Sequence, residues 1–217
     1  MKKGHQGSFI FNEGEGSTPS LYYFEGDFAA RGYSRIAGLD EAGRGPLAGP
    51  VVAACVILRP ELVIPGLNDS KKLTEARRDA LCKRVCEASS DFGVGIVEAG
   101  EIDKINILQA TKKAMLLAIE DLKHPPDYLL LDAITLDINL PQLPLIKGDA
   151  RSASIAAASI LAKVTRDRIM VGYHEKYPVY GFSGHKGYGC KAHMDAIKEH
   201  GPCPIHRRSF RGVLPEE

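Results

Sequence analysis

The stretch RIAGLDEAGRGPLAGPVVAACVIL, Arg35 to Leu58, decides how the rest of the chain is read. Its first half is a short apolar run, IAGL, closed by acids and glycines. Its second half, VVAACVIL (Val51 to Leu58), is rich in β-branched residues and long enough for a buried strand. A pair of strands joined by a Gly/Pro-rich loop is expected. The loop, GRGPLAG (Gly43 to Gly49), imitates a dinucleotide-binding turn, but its spacing is GxGxxxG and Pro46 lies inside it. The acids directly before it would also repel a pyrophosphate. A nucleotide-dependent oxidoreductase, which would bind NAD(H), is therefore kept only as a contrasting class. Exposed glycine amides around Arg44 suit a nucleic-acid backbone at close range.

Beyond this stretch, strand and helix alternate. Thr74 can cap a helix of about 15 residues carrying Leu81, Val85 and Ala88 at helical spacing. FGVGIVEA (Phe92 to Ala99) reads as a strand. Ile105, Leu108, Met115, Ala118, Ile119 and Leu122 mark one face of a long helix stopped by His124-Pro125-Pro126. YLLLD (Tyr128 to Asp132) is a central strand and LPLIKGD (Leu143 to Asp149) another. A further helix starts near Ser152, with Ala153, Ala157, Ile160, Leu161 and Val164 on one face. Its run of small residues, Ala156 to Ser159, would let it approach a sheet closely. A Gly-rich loop, a short helix and a basic tail complete the chain. The pattern predicts an α/β domain with a mixed central sheet of about five strands flanked by helices, plus a small helical C-terminal segment.

Composition bounds the function classes. The chain has 217 residues, 44% of them apolar and 25% charged, which is enough for an ordinary core and excludes disorder along the whole length. No apolar run approaches the roughly 20 residues that a membrane-spanning helix needs. The start, MKKGHQGSFIFNEGEG, lacks the uninterrupted apolar core of a signal peptide, so a cytoplasmic protein with no membrane partner is expected. Five cysteines, none in a CxxC pair, suggest neither a disulfide framework nor a zinc ribbon. Net charge is only +1, yet Lys147 to Glu217 carry twelve Lys/Arg against seven Asp/Glu, a surplus of +5 that leaves −4 on the remainder. A basic face beside a carboxylate-rich site is one consequence. A few solvated lysines are the other. Residues 1 to about 18 are polar and aperiodic and read as a mobile extension, while LYYFEGDFAARGY (residues 21 to 33) has the aromatics to dock as a short helix or turn.

Acids at the ends of apolar strands are the informative oddity. Asp40 and Glu41 end IAGL, Asp132 ends YLLL, and Asp149 follows LPLIKG. Sites in α/β sheets gather at the carboxyl ends of strands, so these carboxylates could converge at one edge. Unpaired, they would raise each other's pKa, and a pair of divalent cations would relieve the repulsion. Oxygen ligands without His or Cys favour Mg²⁺ or Mn²⁺, and two such ions are the apparatus for displacement at phosphorus. Neighbouring strand residues point to opposite faces, so Asp40 and Glu41 are expected to share a site only if the backbone leaves the pleat there. Each acid also has a plain reading: a turn at Asp132, a helix cap at Asp149, a solvated loop at Asp40-Glu41.

Further candidates surround them. Ser70, Lys71 and Lys72 form either a phosphate-contact group or an Asx turn with two solvated lysines. Tyr188, between Gly187 and Gly189, is either a platform for a sugar or base or a plain loop aromatic. His206, Arg207, Arg208 and Arg211 would track phosphates or form a solvated tail.

Together the segments IAGLDEAGRGPLAGPVVAACVIL, NDSKKL, YLLLDA, IKGDARSASIAAASILAKVTRD, GHKGYG and HRRSF resemble the ribonuclease HII family, in that family's order, across residues 36 to 211. The resemblance implies an RNase H-like fold, with residues 34 to 217 as the catalytic domain and residues 1 to 33 as a partly disordered extension. It implies an endoribonuclease that hydrolyses the RNA strand of RNA-DNA hybrids and cuts 5′ to single ribonucleotides in duplex DNA, leaving 3′-hydroxyl and 5′-phosphate ends. Asp40, Glu41, Asp132 and Asp149 would be the catalytic, metal-binding carboxylates for two Mg²⁺ or Mn²⁺ ions. Gly43, Arg44 and Gly45 would approach the ribonucleotide, and Tyr188 would pack on the following deoxyribose, with Ser70, Lys71, Lys72 and Arg207 as further substrate contacts. The 33 residues before Ser34 are too few for the extra N-terminal domain of the related ribonuclease HIII, and the chain stops at Glu217 soon after HRRSF, so no clamp-binding tail is expected. A monomer is expected. A non-catalytic hybrid-binding module is the alternative.

Overall fold

The apolar runs of the opening stretch pair with each other. β1 (Ile36–Ala42) is antiparallel to β2 (Val51–Leu58), in register from Ala37↔Ile57 to Ala42↔Val52. This computed structural model describes residues 20–67 and 74–214. After α2 (Glu75–Ala88) comes β3 (Ser89–Val97), antiparallel to β2; after α3 (Ala99–Glu120) come β4 (Tyr128–Asp132) and β5 (Gln142–Leu145), parallel to β1 and to β4 respectively. The sheet is mixed and five-stranded, in the order β3-β2-β1-β4-β5. β2 lies inside it and is buried along its whole length, which explains why its sequence is apolar on both faces.

α3 covers one face, over Ala37, Leu39, Ala53, Cys55, Leu129 and Leu131. The other face is covered by α2 and by α4 (Ala153–Lys176), over Ala54, Val56 and Leu58. The small residues of α4 do what their size allows: a Cβ added at Gly38 of β1 would stand 2.1 Å from the Ser154 backbone. The expected cap is present, since the Thr74 hydroxyl accepts from Arg77 N–H at the start of α2, and the Ser152 hydroxyl caps α4 in the same way by accepting from Ile155 N–H. After Tyr180 come the short α5 (Phe182–His185) and α6 (Lys191–His200), whose side chains form a satellite core with Ala48, Met170, Cys203 and Ile205. Among the described residues no helix is long and apolar enough to cross a membrane.

Two elements differ from the sequence reading. The long helix α3 is broken at Asn106, whose φ of 66° is left-handed and whose side-chain oxygen accepts from the N–H groups of Leu108 and Gln109. It is an N-cap set inside a helical pattern. Leu108, in the first turn after the break, is exposed rather than on the core face. The strand expected over Leu143 to Asp149 ends at Leu145, because Lys147 takes φ 55° and turns the chain into the 3-10 turn Gly148–Ala150. Asp149 therefore stands on a turn.

The aromatic stretch before β1 docks as α1 (Tyr23–Ala30), and its anchor is an acid. Glu25 is buried, and one of its carboxylate oxygens accepts from the Ser152 hydroxyl (2.6 Å), the Ser154 N–H (2.9 Å) and the Ser154 hydroxyl (2.6 Å). A negative charge at the first turn of α4 also complements the helix dipole. Glu25→Ala is expected to lower stability by about 2 kcal/mol, since each such bond to a charged group is worth more than a neutral one. Thermal unfolding should show a drop of roughly 6 °C; an unchanged midpoint would contradict the anchoring role.

Candidate active site

Strand register brings the first two acids together. β1 and β4 run parallel with Leu39 opposite Leu131, so Asp40 and Asp132 are the next pair along, at the carboxyl ends of both strands. Leu39 and Leu131 face α3, so alternation turns Asp40 and Asp132 toward α4. There the Ser159 side chain hydrogen-bonds the Asp40 carboxylate. β4 stops at once: Ala133 takes a left-handed φ of 54°, and Asp132 Oδ1 accepts from Gly148 N–H at 2.8 Å. Asp149, the residue after Gly148, is buried in the adjoining turn.

The condition set for Asp40 and Glu41 to share a site, a backbone that leaves the pleat between them, is not met. β1 stays paired with β2 through Asp40↔Ala54, Glu41↔Ala53 and Ala42↔Val52. Glu41 nevertheless remains close enough for its charge to act on Asp40, and its carboxylate meets Arg44 Nη1 at 3.5 Å. Burial pushes the Asp40 carboxyl well above the usual carboxylate range, and the charges of Glu41 and then Asp132 push it further; the hydrogen bonds from Ser159 and from Glu41 N–H pull it back in part. A carboxylate so placed calls for a cation. Among the described residues no group of three or more His, Cys, Asp or Glu side chains forms a ready-made metal site. Asp40, Glu41 and Asp132 are close enough for the charges of the last two to act on the first, and hard oxygen donors so grouped fit Mg²⁺ or Mn²⁺, which take one or two carboxylates and complete their shell with water and substrate phosphate.

The glycine loop is held beside this edge from beneath by two buried arginines. Arg207 is fully buried: its Nη2 donates to Gly43 O (2.6 Å) and Gly49 O (2.8 Å), its Nε to Gly49 O (2.9 Å) and its Nη1 to Arg44 O (3.0 Å). Arg166 of α4, also fully buried, donates to the carbonyls of Pro50, Lys186 and Ala48, each at 3.0 Å. Gly43 has φ 99°, and a Cβ there would stand 2.1 Å from Arg166 Nε. Arg207 thus departs from the sequence reading, which set it on phosphates: its donors are turned inward, and it shapes the loop. His206 departs likewise, being buried with Nδ1 accepting from Cys203 N–H at 2.9 Å.

Tyr188 stands against the same loop. It is 46% exposed, a Cβ at Gly45 would lie 3.9 Å from its Cε1, and Lys163 Nζ and the Arg166 guanidinium each lie 5.9 Å from its ring centroid. The glycines beside it serve backbone approach more than ring freedom. Leu47 N–H donates to Gly187 O at 2.8 Å, and a Cβ at Gly187 would stand 2.5 Å from Ala48 O. Arg44 is exposed at the loop tip. Ser70, Lys71 and Lys72 lie outside the described residues.

Sequence reasoning missed Arg166 and Ser159. Both sit in a segment, ASILAKVTRD, that reads as an ordinary amphipathic helix, and the only available signal was a basic residue on its small-residue side.

Comparison with known proteins adds an independent line. A family model described as Ribonuclease HII matches residues 37–213. The chain is 52% identical over 217 residues to Ribonuclease HII of Bacillus licheniformis, covering 100% of this chain and 84% of that protein. It is 58% identical over 188 residues to Ribonuclease HII of Acetivibrio thermocellus, covering 86% of this chain and 73% of that one. Among solved structures, ribonuclease H2 from Pyrococcus horikoshii superposes with a TM-score of 0.70 at 28% identity, over 83% of this chain and 95% of its own.

Proposed function

The chain belongs to the ribonuclease HII family and is a metal-dependent endoribonuclease with the RNase H-like fold; from that premise we propose that it hydrolyses the RNA strand of RNA-DNA hybrids and cuts 5′ to single ribonucleotides embedded in duplex DNA. The carrying observation is the buried Asp40 carboxylate, set beside Asp132 by strand register, crowded by Glu41, and one loop away from an exposed aromatic ring. Asp40, Glu41, Asp132 and Asp149 are the residues that would hold two Mg²⁺ or Mn²⁺ ions. Such ions, when bound, supply an activated water and stabilise the leaving oxygen, giving 3′-hydroxyl and 5′-phosphate ends.

The chain's own residues do the rest. Ser159 and Glu41 N–H orient the Asp40 carboxylate, and Gly148 N–H orients Asp132. The Gly43-Arg44-Gly45 loop, fixed by Arg207 and Arg166, meets the ribonucleotide. The 2′-hydroxyl is what separates RNA from DNA at a given position, and a rigid backbone can read it where a mobile one cannot. Tyr188 packs on the deoxyribose that follows. Ser70, Lys71 and Lys72 contact phosphates, and Arg207 acts through the loop. The catalytic unit is residues 34 to 217, working as a cytoplasmic monomer, with residues 1 to 33 as an extension.

The test is a digest of duplex DNA holding one ribonucleotide, with Mg²⁺ or Mn²⁺ added, against an all-DNA duplex and a chelator control. Cleavage on the 5′ side of the ribonucleotide is expected. Salt-dependent binding without cleavage would instead indicate a non-catalytic hybrid-binding module. Tyr188→Ala is expected to lower cutting at the RNA-to-DNA junction by about tenfold, the range of one lost stacking contact, while cutting of continuous hybrid falls far less. Equal losses on both substrates would contradict the role given to the ring.

A further inference from the structure

Behind Tyr188 lies a buried chain of hydrogen bonds that the reaction itself does not use. Cys203 N–H donates to His206 Nδ1 at 2.9 Å, which leaves the His206 proton on Nε2. That nitrogen faces His193 Nε2 at 3.0 Å, and one proton fits between them, so His193 accepts there and carries its own proton on Nδ1. His193 Nδ1 in turn donates to Tyr188 O at 2.9 Å. Both rings are buried, and His185 stacks on His193 with centroids 4.5 Å apart. Tyr188 N–H donates to His185 O at 3.0 Å, so both sides of its peptide are fixed.

We infer that His193 and His206 are positioning residues for Tyr188: they transmit the placement of the C-terminal segment to the ring that senses the RNA-to-DNA junction. The inference rests on the reading of Tyr188 given above. Arg207, the residue after His206, ties the same segment to the glycine loop, and its N–H donates to Leu47 O at 2.8 Å. One segment thereby sets both walls of the substrate site, the loop directly and the ring through the histidines. A loop aromatic held only by its flanking glycines would wander by more than the fraction of an ångström that stacking tolerates. Neutral imidazoles suit such a link. Burial, and then the neighbouring His193, lower His206 to about 4, and burial lowers His193, so both stay uncharged at neutral pH.

Two variants of one position separate this role from general support of the core. In His193→Asn the side-chain amide nitrogen sits where Nδ1 was and still donates to Tyr188 O. In His193→Gln the side-chain amide oxygen sits where Nε2 was, still accepts from His206 Nε2, and the amide cannot reach Tyr188. Both are polar and similar in bulk, so both lose comparable packing. The readout is the ratio of cleavage rates on a single-ribonucleotide duplex and on a continuous hybrid, measured beside Tyr188→Ala and the unaltered protein. His193→Gln is expected to lower the ratio about fivefold, the value of one buried hydrogen bond, and His193→Asn to hold it within about twofold. If both keep the ratio while Tyr188→Ala loses it, the histidine inference is overturned and the reading of Tyr188 stands. If Tyr188→Ala keeps the ratio, the reading of Tyr188 falls and the inference falls with it.

Discussion

Asp40→Asn is expected to reduce cleavage of a single-ribonucleotide duplex by a factor on the order of 10³ or more, while raising the thermal midpoint of the cation-free protein. The first effect follows from removing the most enclosed carboxylate of the acidic edge, a loss of several kcal/mol of transition-state stabilisation. The second follows from the direction of its titration. Burial, Glu41 and Asp132 together raise the folded-state pKa of Asp40 above its unfolded value. The folded protein therefore binds the proton more tightly than the unfolded chain does, and stability is lost as pH rises from the ordinary carboxylate range through the raised value. A neutral amide removes that loss. Adding Mg²⁺ or Mn²⁺ should raise the midpoint of the unaltered protein, because a ligand that binds only the folded state stabilises it, and should raise that of Asp40→Asn much less. Rate assays and thermal unfolding with and without cation read all of these. Wild-type turnover in Asp40→Asn, or a lowered cation-free midpoint, would remove Asp40 from the centre of the site.

The strands and the acids were legible for a shared reason: each is a local signal. An apolar run ended by Asp can be seen within five residues, as in YLLLD, and a Thr cap within four, as at Thr74. Asp40 and Asp132 could be suspected of meeting because strand ends gather at one edge, although only the parallel register makes them neighbours. In the C-terminal HRRSF, His206 and Arg207 were misread for the opposite reason, while Arg208 is exposed. The segment's basic residues look solvated because nothing nearby in sequence satisfies them; the carbonyls that accept from Arg207 lie 158 to 164 residues earlier. Long-range acceptors likewise hid Arg166. Glu25 was passed over among aromatics, since its partners Ser152 and Ser154 are more than a hundred residues away and a lone acid in a short helix carries no pattern. The Asn106 break was hidden differently. Asn is tolerated inside helices, and its φ of 66° shows only in the backbone.

Arg207→Met should be nearly as damaging as the loss of an acid, though the guanidinium donates to loop carbonyls and is not itself one of the acids. A side chain of similar length fills the space but leaves the carbonyls of Gly43, Arg44 and Gly49 without the donors they have now. Breaking such a buried, charge-assisted set costs about 4 kcal/mol, which for a chain of this size is a drop of roughly 10 °C in the unfolding midpoint. The guanidinium is still cationic at neutral pH, since burial and then Arg166 lower it only to about 9. Its bonds therefore carry charge, and Arg207→Lys, with a point charge in place of the fork, should recover only part of the loss. Cleavage should fall further than stability explains. At a temperature where Arg207→Met is fully folded, the rate is expected to drop by about 10²-fold, because a displacement of about 1 Å has that effect in a loop with the proposed role of reading the 2′-hydroxyl. Gly43→Ala attacks the same joint from the other side, forcing a Cβ to within 2.1 Å of Arg166 Nε at a φ of 99°, and should give the same pairing of a lowered midpoint and a disproportionate loss of rate. If either variant kept the wild-type rate once folded, the loop would have to be held by something other than these arginines, and the link between the C-terminal segment and substrate recognition would be lost.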